Sequence, residues 1–251
     1  MIVIKSPREI DLMREAGRVA RIALDAARAM VRPGISTREI DVEVERVIRE
    51  HGAAPEFKGY HGFPASSCIS VNEEVVHGIP GGKRLRDGDI VGIDVGARLK
   101  GFVGDNAATI AVGKPSAKAL KLVETTRECL EAGVRECVPG KRLSDIGRAV
   151  QTIAEARGYS LVRDYAGHGI GTRMHEDPQV PNYVDAATLK HDLVLKEGLC
   201  IAIEPMLNIG GPEVRTLEDG WTVVTEDGSL SAHWEDSVAV TKDGPVVLTR
   251  A

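Results

Sequence analysis

A chain of 251 residues, 43% apolar and 27% charged, has the balance of an ordinary globular protein with room for one large domain or two small halves sharing a core. Its net charge of −5 gives no general attraction to nucleic acid or to an anionic membrane. The opening residues carry charge too early for a signal peptide or membrane anchor, and Cys68, Cys129, Cys137 and Cys200 lack C-x-x-C spacing, so a soluble protein of the reducing cytoplasm is expected.

Residues 9–31 place apolar side chains at helical spacing among strong helix formers, and the pattern stops at Arg32-Pro33-Gly34. A second helix is expected over 36–51. Ser36 with Glu39 three places later forms a capping-box pattern, Ile40, Val44, Val47 and Ile48 supply the apolar face, and Gly52 ends it.

The same punctuation then returns. Pro139-Gly140, Ile146, Val150, Ile153 and Gly158 match Pro33-Gly34, Ile40, Val44, Val47 and Gly52 at a constant offset of 106 residues. A second echo, at 110 residues, relates Leu85, Gly88 and Asp94 to Leu195, Gly198 and Glu204. In each copy an apolar strand of about five residues leaves a glycine turn and ends on a carboxylate. Two copies are too few for a solenoid. Two halves related by a pseudo-two-fold, each delivering one acid to a shared centre, is the simpler arrangement.

Further acids and histidines sit at strand ends or in glycine-rich turns. Asp105 follows a short strand bracketed by Gly101 and Gly104, His168 lies in Gly167-His168-Gly169, and Glu235 precedes an apolar strand at Val238. Taken singly, an acid at a strand end is usually a turn residue and a histidine beside glycine a loop residue. Asp94 and Glu204 differ, because each terminates a buried-looking strand, and a buried carboxylate needs a cation or hydrogen bonds to stay ionised. Four acids and one imidazole without a thiolate suit Mn²⁺, Fe²⁺, Co²⁺ or Zn²⁺. Two such ions about 3.5–4 Å apart can polarise a carbonyl together.

The motifs Tyr60-His-Gly-Phe63-Pro, Cys68-Ile-Ser-Val-Asn72, His77-Gly-Ile-Pro80, Asp87 through Asp94, Gly104-Asp105, Gly167 through Gly171, His175-Glu, Ile203-Glu-Pro205, Asp219-Gly-Trp221 and Glu235 occur in order over nearly the whole chain. Together they resemble the short bacterial form of the type I methionine aminopeptidases. The resemblance implies an α/β (α+β) pita-bread fold, an antiparallel sheet covered by helices. It also implies one catalytic domain over 1–251, with halves of about 1–113 and 114–251.

The resemblance implies roles as well. Asp94, Asp105 and Glu235 would hold one divalent ion, and Asp105, His168, Glu204 and Glu235 the other. Glu204 would shuttle a proton, while His77 and His175 would hydrogen-bond the substrate and stabilise the tetrahedral intermediate. Tyr60, Phe63, Cys68 and Trp221 would line the side-chain pocket, with His77, Met174 and His175 close by. A thioether packs well against aromatic edges. Cys68 has no base nearby in sequence and reads as a wall residue, and Cys129 and Cys137 as ordinary helix residues. A monovalent-cation site near Asn72 and Ser231 is implied by resemblance alone. So are substrates that are nascent polypeptide N-termini at the ribosome, with a monomeric enzyme and neither nucleic acid nor membrane as partner.

Several positions depart from the family pattern. Asn106 stands where Thr or Ser is frequent, Asp236 where His is common, Trp234 replaces a smaller aromatic, and Phe57 and Phe63 replace Cys and Tyr of some relatives. Competing readings are a proline-specific aminopeptidase or prolidase, which shares fold and ligands, and a catalytically dead relative acting as a binding module.

Overall fold

The computed structural model describes residues 2–250. Helix α1 runs over Pro7–Met30 and α2 over Thr37–Glu50. Short strands β1 (Ala54–Pro55), β2 (Cys68–Val71) and β3 (Glu74–Val76) precede the long strands β4 (Ile90–Leu99) and β5 (Phe102–Ala111). Helices α3 (Ala117–Arg135) and α4 (Leu143–Ala156) follow, then β6 (Ser160–Leu161), β7 (Gly167–Gly169), β8 (Glu176–Val180), β9 (Cys200–Ile203) and β10 (Met206–Asn208). The chain closes with β11 (Val214–Thr216), β12 (Val223–Thr225), β13 (Ser231–His233), β14 (Glu235–Thr241) and β15 (Gly244–Val247). Among the described residues no helix is long and apolar enough to cross a membrane.

Both amino-terminal helices begin at reciprocal caps. Ser36 and Glu39 close the expected box on α2. Ser6 and Glu9 form another, with Pro7 in the first turn, so α1 starts two residues before the periodic pattern.

A nine-stranded sheet carries the order β1-β4-β5-β14-β9-β7-β8, with β2 beside β4 and β15 beside β14. Its strand pairs are antiparallel, and the fold is the mixed α/β arrangement expected, with helices laid on the sheet. Val19, Ala23 and Ile40 pack with Val91 and Ile93 in one core, while Leu130, Val134 and Ile146 pack with Ile201 and Val238 in another.

The internal repeat is structural. The separation of 106 residues that links Pro33 to Pro139 also links both ends of α2 to both ends of α4. Gly34 N donates to Leu85 O and Gly140 N to Leu195 O; Leu85 N donates to Ile35 O and Leu195 N to Lys141 O. Each half thus fastens its proline–glycine turn to the leucine before its acid-bearing strand. Gly34 and Gly140 need their glycines, with φ of 88° and 89°.

Two strand expectations are corrected. Cys200–Ile203 ends one residue before Glu204, as the pattern suggested, but β4 passes through Asp94 and continues to Leu99. Phe102–Ala111 likewise runs through Gly104 rather than stopping at it. Gly96 and Gly104 are close-approach points, not breaks: a Cβ at Gly104 would lie 2.3 Å from Gly17 Cα, and one at Gly96 2.5 Å from Phe57 Cε1.

Candidate metal centre

Side chains alternate across a pleated sheet, and the register decides which acids share a face. Asp94 pairs with Ala107, Ala107 with Glu235, and Asp105 with Gly96. Asp94, Asp105 and Glu235 therefore project from one face of three adjacent strands. Glu204 follows β9, the neighbour of β14, and His168 comes from β7 beyond it. Among the described residues Asp105, His168 and Glu235 each offer a ligand atom, all within 4.8 Å of one another. His168 Nε2 is 3.7 Å from Asp105 Oδ2 and 3.6 Å from Glu204 Oε1. The five proposed ligand positions and the seven proposed substrate positions all line one cavity of about 340 Å³.

The donor set fits divalent cations. Asp105 and Glu235 are 2% and 3% exposed, and Asp94 Oδ1, Asp105 Oδ1 and Glu235 Oε1 have no hydrogen-bond partner. His168 Nδ1 lies 2.9 Å from Gly169 O, and since a carbonyl only accepts, that nitrogen carries the proton. Nε2 is left with a bare lone pair facing two carboxylates, an arrangement that a cation satisfies and a proton on either neighbour only partly does. Burial pushes all four acids, Asp94, Asp105, Glu204 and Glu235, well above the usual carboxylate range, and their mutual repulsion adds to it. Burial also holds His168 down at about 4, neutral and ready to ligate.

These shifts make metal-free stability depend on pH. An acid whose folded pKa is raised contributes stability that is complete below its ordinary value and lost as pH rises through the raised one. The buried imidazoles act oppositely below about pH 6.5, so the clean window lies above it. Chelated protein is expected to melt at progressively lower temperature as pH rises above about 6.5, and added Mn²⁺ or Zn²⁺ to reverse the trend while protons are released. Thermal melts with and without the ion check this. A flat metal-free profile contradicts it.

Around the acids, the remaining side chains are held from several directions. Tyr60 Oη and His175 Nδ1 are 2.7 Å apart, so the Nε2 of His175 is the nitrogen left free. The loop before His175 is pinned by Glu176, whose carboxylate takes a buried 2.8 Å bond from Lys5 Nζ and one from Arg173 N. His77 sits at φ 60°, a left-handed conformation uncommon outside glycine, and burial lowers its pKa to about 4. Phe63 meets Trp221 edge-on at 5.2 Å between ring centroids. Cys68 pairs with Asp94 in register, and burial together with that carboxylate pushes its thiol well up, which leaves it uncharged. Cys129 and Cys137 are fully buried, the first in α3 and the second just past its end.

Behind the sheet lie the departures. Asn106 and Asp236 are cross-strand partners on the face away from the acids. Asp236 accepts bonds from Thr249 Oγ1 and Arg250 Nε, each at 2.8 Å. Next to it, Ser237 Oγ accepts from Asp105 N at 3.1 Å and donates to Asp105 O at 2.8 Å. The Asp105 backbone is thereby fastened to β14 two residues beyond Glu235. Asn72 and Ser231, the pair implied for a monovalent cation, are joined by a bond from Ser231 N to Asn72 O, and Asn72 Oδ1 accepts from Ile90 N.

Three lining residues carry no prediction from the sequence. Tyr165 stands edge-on to His77 at 5.6 Å, and His61 and Ala166 complete the rim. His233, inside the motif around Glu235 yet unassigned, lies 3.9 Å from both Glu204 and Glu235.

The family model of metallopeptidase family M24 matches residues 11–242. The chain belongs to the M24 metallopeptidases. This M24 chain is 50% identical over 250 residues to methionine aminopeptidase 1 of Bacillus subtilis, with 100% of both covered. Its fold matches the crystal structure of the methionine aminopeptidase of Thermotoga maritima at a TM-score of 0.96 and 42% identity, again over 100% of both chains. The prolidase of Pyrococcus furiosus is also similar, at a TM-score of 0.79 and 28% identity, but the M24 chain covers 66% of that protein. The resemblance read from the motifs is thus borne out at the level of the family and of the relatives named within it.

Proposed function

We propose that this M24 metallopeptidase removes the N-terminal methionine of peptides and nascent proteins, preferring a small second residue. The observation that carries the proposal is the joining, in one cavity of about 340 Å³, of a wall formed by Tyr60, Phe63, Cys68, Met174 and Trp221 to the buried acids and imidazole. Full-length similarity to the methionine aminopeptidase of Bacillus subtilis supports the same substrate.

Asp94, Asp105 and Glu235 would hold one divalent ion and Asp105, His168, Glu204 and Glu235 a second, with Asp105 and Glu235 shared. Mn²⁺, Fe²⁺, Co²⁺ and Zn²⁺ all suit this donor set. When bound, such ions supply Lewis-acid polarisation of the scissile carbonyl and lower the pKa of a water. The protein's own groups do the rest. Glu204 takes up a proton on its carboxylate and passes it to the leaving amine. With the Tyr60 hydroxyl, 2.7 Å away, as donor to His175 Nδ1, His175 Nε2 would carry the hydrogen given to the developing oxyanion. His77 bonds the amide nitrogen, and the pocket walls exclude water and orient the thioether.

The catalytic unit spans 1–251, in halves of about 1–113 and 114–251, and acts as a monomer in the cytoplasm on chains at the ribosome, with neither nucleic acid nor membrane as partner. A monovalent cation beside Asn72 and Ser231 belongs to the same reading. All five ligand positions are occupied by suitable residues, which argues against a catalytically dead binding module.

Hydrolysis of Met-Ala-Ser should exceed that of the Leu and Lys counterparts by well over tenfold, since each missing or extra methylene is worth about 1–3 kcal/mol in such a pocket. Steady-state kinetics on these peptides and on Ala-Pro peptides give the answer. Equal cleavage of Met, Leu and Lys peptides sinks the pocket assignment, and preference for Ala-Pro peptides would move the chain to the prolidases.

A further inference from the structure

His233 is among the most enclosed polar groups around the centre. Its side chain is 5% exposed, and its Nε2 has no hydrogen-bond partner. A buried nitrogen left without a partner is destabilising, so its direction calls for a reason. That nitrogen lies 3.9 Å from Glu204 Oε2 and 3.9 Å from Glu235 Oε2. On the other side, His168 Nε2 lies 3.6 Å from Glu204 Oε1. Glu204 thus stands between two imidazoles, one facing each of its oxygens.

The two rings differ in what their far nitrogens do. His168 spends its Nδ1 hydrogen on Gly169 O, which leaves Nε2 as a lone pair. No hydrogen bond among the described residues ties His233 Nδ1, so the hydrogen is free to sit on Nε2. A lone pair aimed at two carboxylate oxygens gains nothing there, whereas an N–H gains a charge-assisted bond. The backbone that carries the ring is held firmly: His233 N donates to Thr109 Oγ1 at 2.9 Å, and Thr109 Oγ1 donates to His233 O at 2.8 Å. Strand β13 is thereby clasped to β5, the strand that carries Asp105.

We propose that His233 is a positioning residue of the metal centre, its Nε2–H holding the second oxygen of Glu204 while the first, beside His168, is offered to the ion. Glu235 Oε2 lies at the same distance, 3.9 Å, from that nitrogen. The inference rests on the ligand assignment given under the proposed function. A 3.9 Å separation exceeds a hydrogen bond by about 1 Å, a distance that rotation of the carboxylate covers when its other oxygen turns to a cation. Outer partners that orient ligating groups in this way typically change metal affinity about 10–100-fold.

Chelated wild type, His233→Ala, His233→Gln and His168→Ala are titrated with Mn²⁺ by calorimetry, and the absorption spectra of their Co²⁺ forms are recorded. His233→Ala is expected to weaken Mn²⁺ binding about 10–100-fold and to shift the Co²⁺ bands. His233→Gln, with an amide N–H at similar reach, should recover most of the affinity, which a purely space-filling role would not predict; it also keeps the test open if the alanine variant fails to fold. Affinity of His233→Ala within about twofold of wild type, or glutamine no better than alanine, overturns the proposal. Two imidazole nitrogens in the pulsed EPR spectrum of the Mn²⁺ protein would place His233 among the ligands and overturn it as well. His168→Ala separates the two levels of the argument. If it keeps wild-type affinity, the ligand assignment itself is wrong; if it loses the metal while His233→Ala does not, only the role of His233 fails.

Discussion

Glu235→Ala is expected to lose divalent metal on dialysis, while Asp236→Ala, altered one residue along, keeps it. The two side chains leave β14 on opposite faces. Glu235 enters the cavity with Asp105 and His168, and Asp236 turns to Thr249 and Arg250. Removing a residue proposed to ligate both ions should weaken binding beyond the about 10–100-fold typical of an outer partner. Removing Asp236 strips bonds from Thr249 and from a guanidinium that is 42% exposed, so the cost falls on stability and is about 2 kcal/mol after solvent screening. Metal stoichiometry after dialysis and melting temperature, measured on both variants beside wild type, decide the matter. Loss of metal from Asp236→Ala would show that the far face of β14 belongs to the centre after all.

The histidines should divide just as sharply. His77→Ala and His175→Ala are both expected to retain metal and lose turnover, His175→Ala about 10²–10³-fold, the usual effect of deleting one donor to a developing oxyanion. His168→Ala should lose metal, because its Nε2 is the bare nitrogen beside Asp105 and Glu204. A parallel test of Tyr60→Phe links His175 to its hydroxyl partner: it should lower kcat on Met-Ala-Ser while metal content stays constant. Metal content by atomic absorption and kcat on that peptide together separate the roles. Were His77→Ala to shed metal while His168→Ala kept it, the assignment of the histidines would be reversed.

What could be read from the sequence was whatever short-range chemistry repeats or signals. Ser36 and Glu39 announce α2 because both partners of the cap lie within four residues. The two halves are legible because each proline–glycine turn is fastened to its leucine by the same pair of backbone bonds. Other features depend on distant partners and leave no local trace. Gly104 looks like the end of a strand until Gly17 presses against it. Tyr165 and His233 are ordinary residues until β13 and the turn before β7 bring them to the acids. Ser237 gives no sign in sequence that it will grip the backbone of Asp105, 132 residues away.

That grip has a consequence for how the chain is made. The β4–β5 hairpin is complete at Ala111, whereas its partner strand begins only at Glu235, and Thr249 and Arg250, which brace it, come later still. Contacts of such sequence separation form late, because loop closure must be met before they give anything back. Until then β5 is an open edge, the kind of surface that pairs with other chains. Its middle carries Asp105 and Asn106, a charged and a polar side chain of the sort that discourages such pairing. The acid that closes the finished centre is therefore also placed to guard the unfinished sheet.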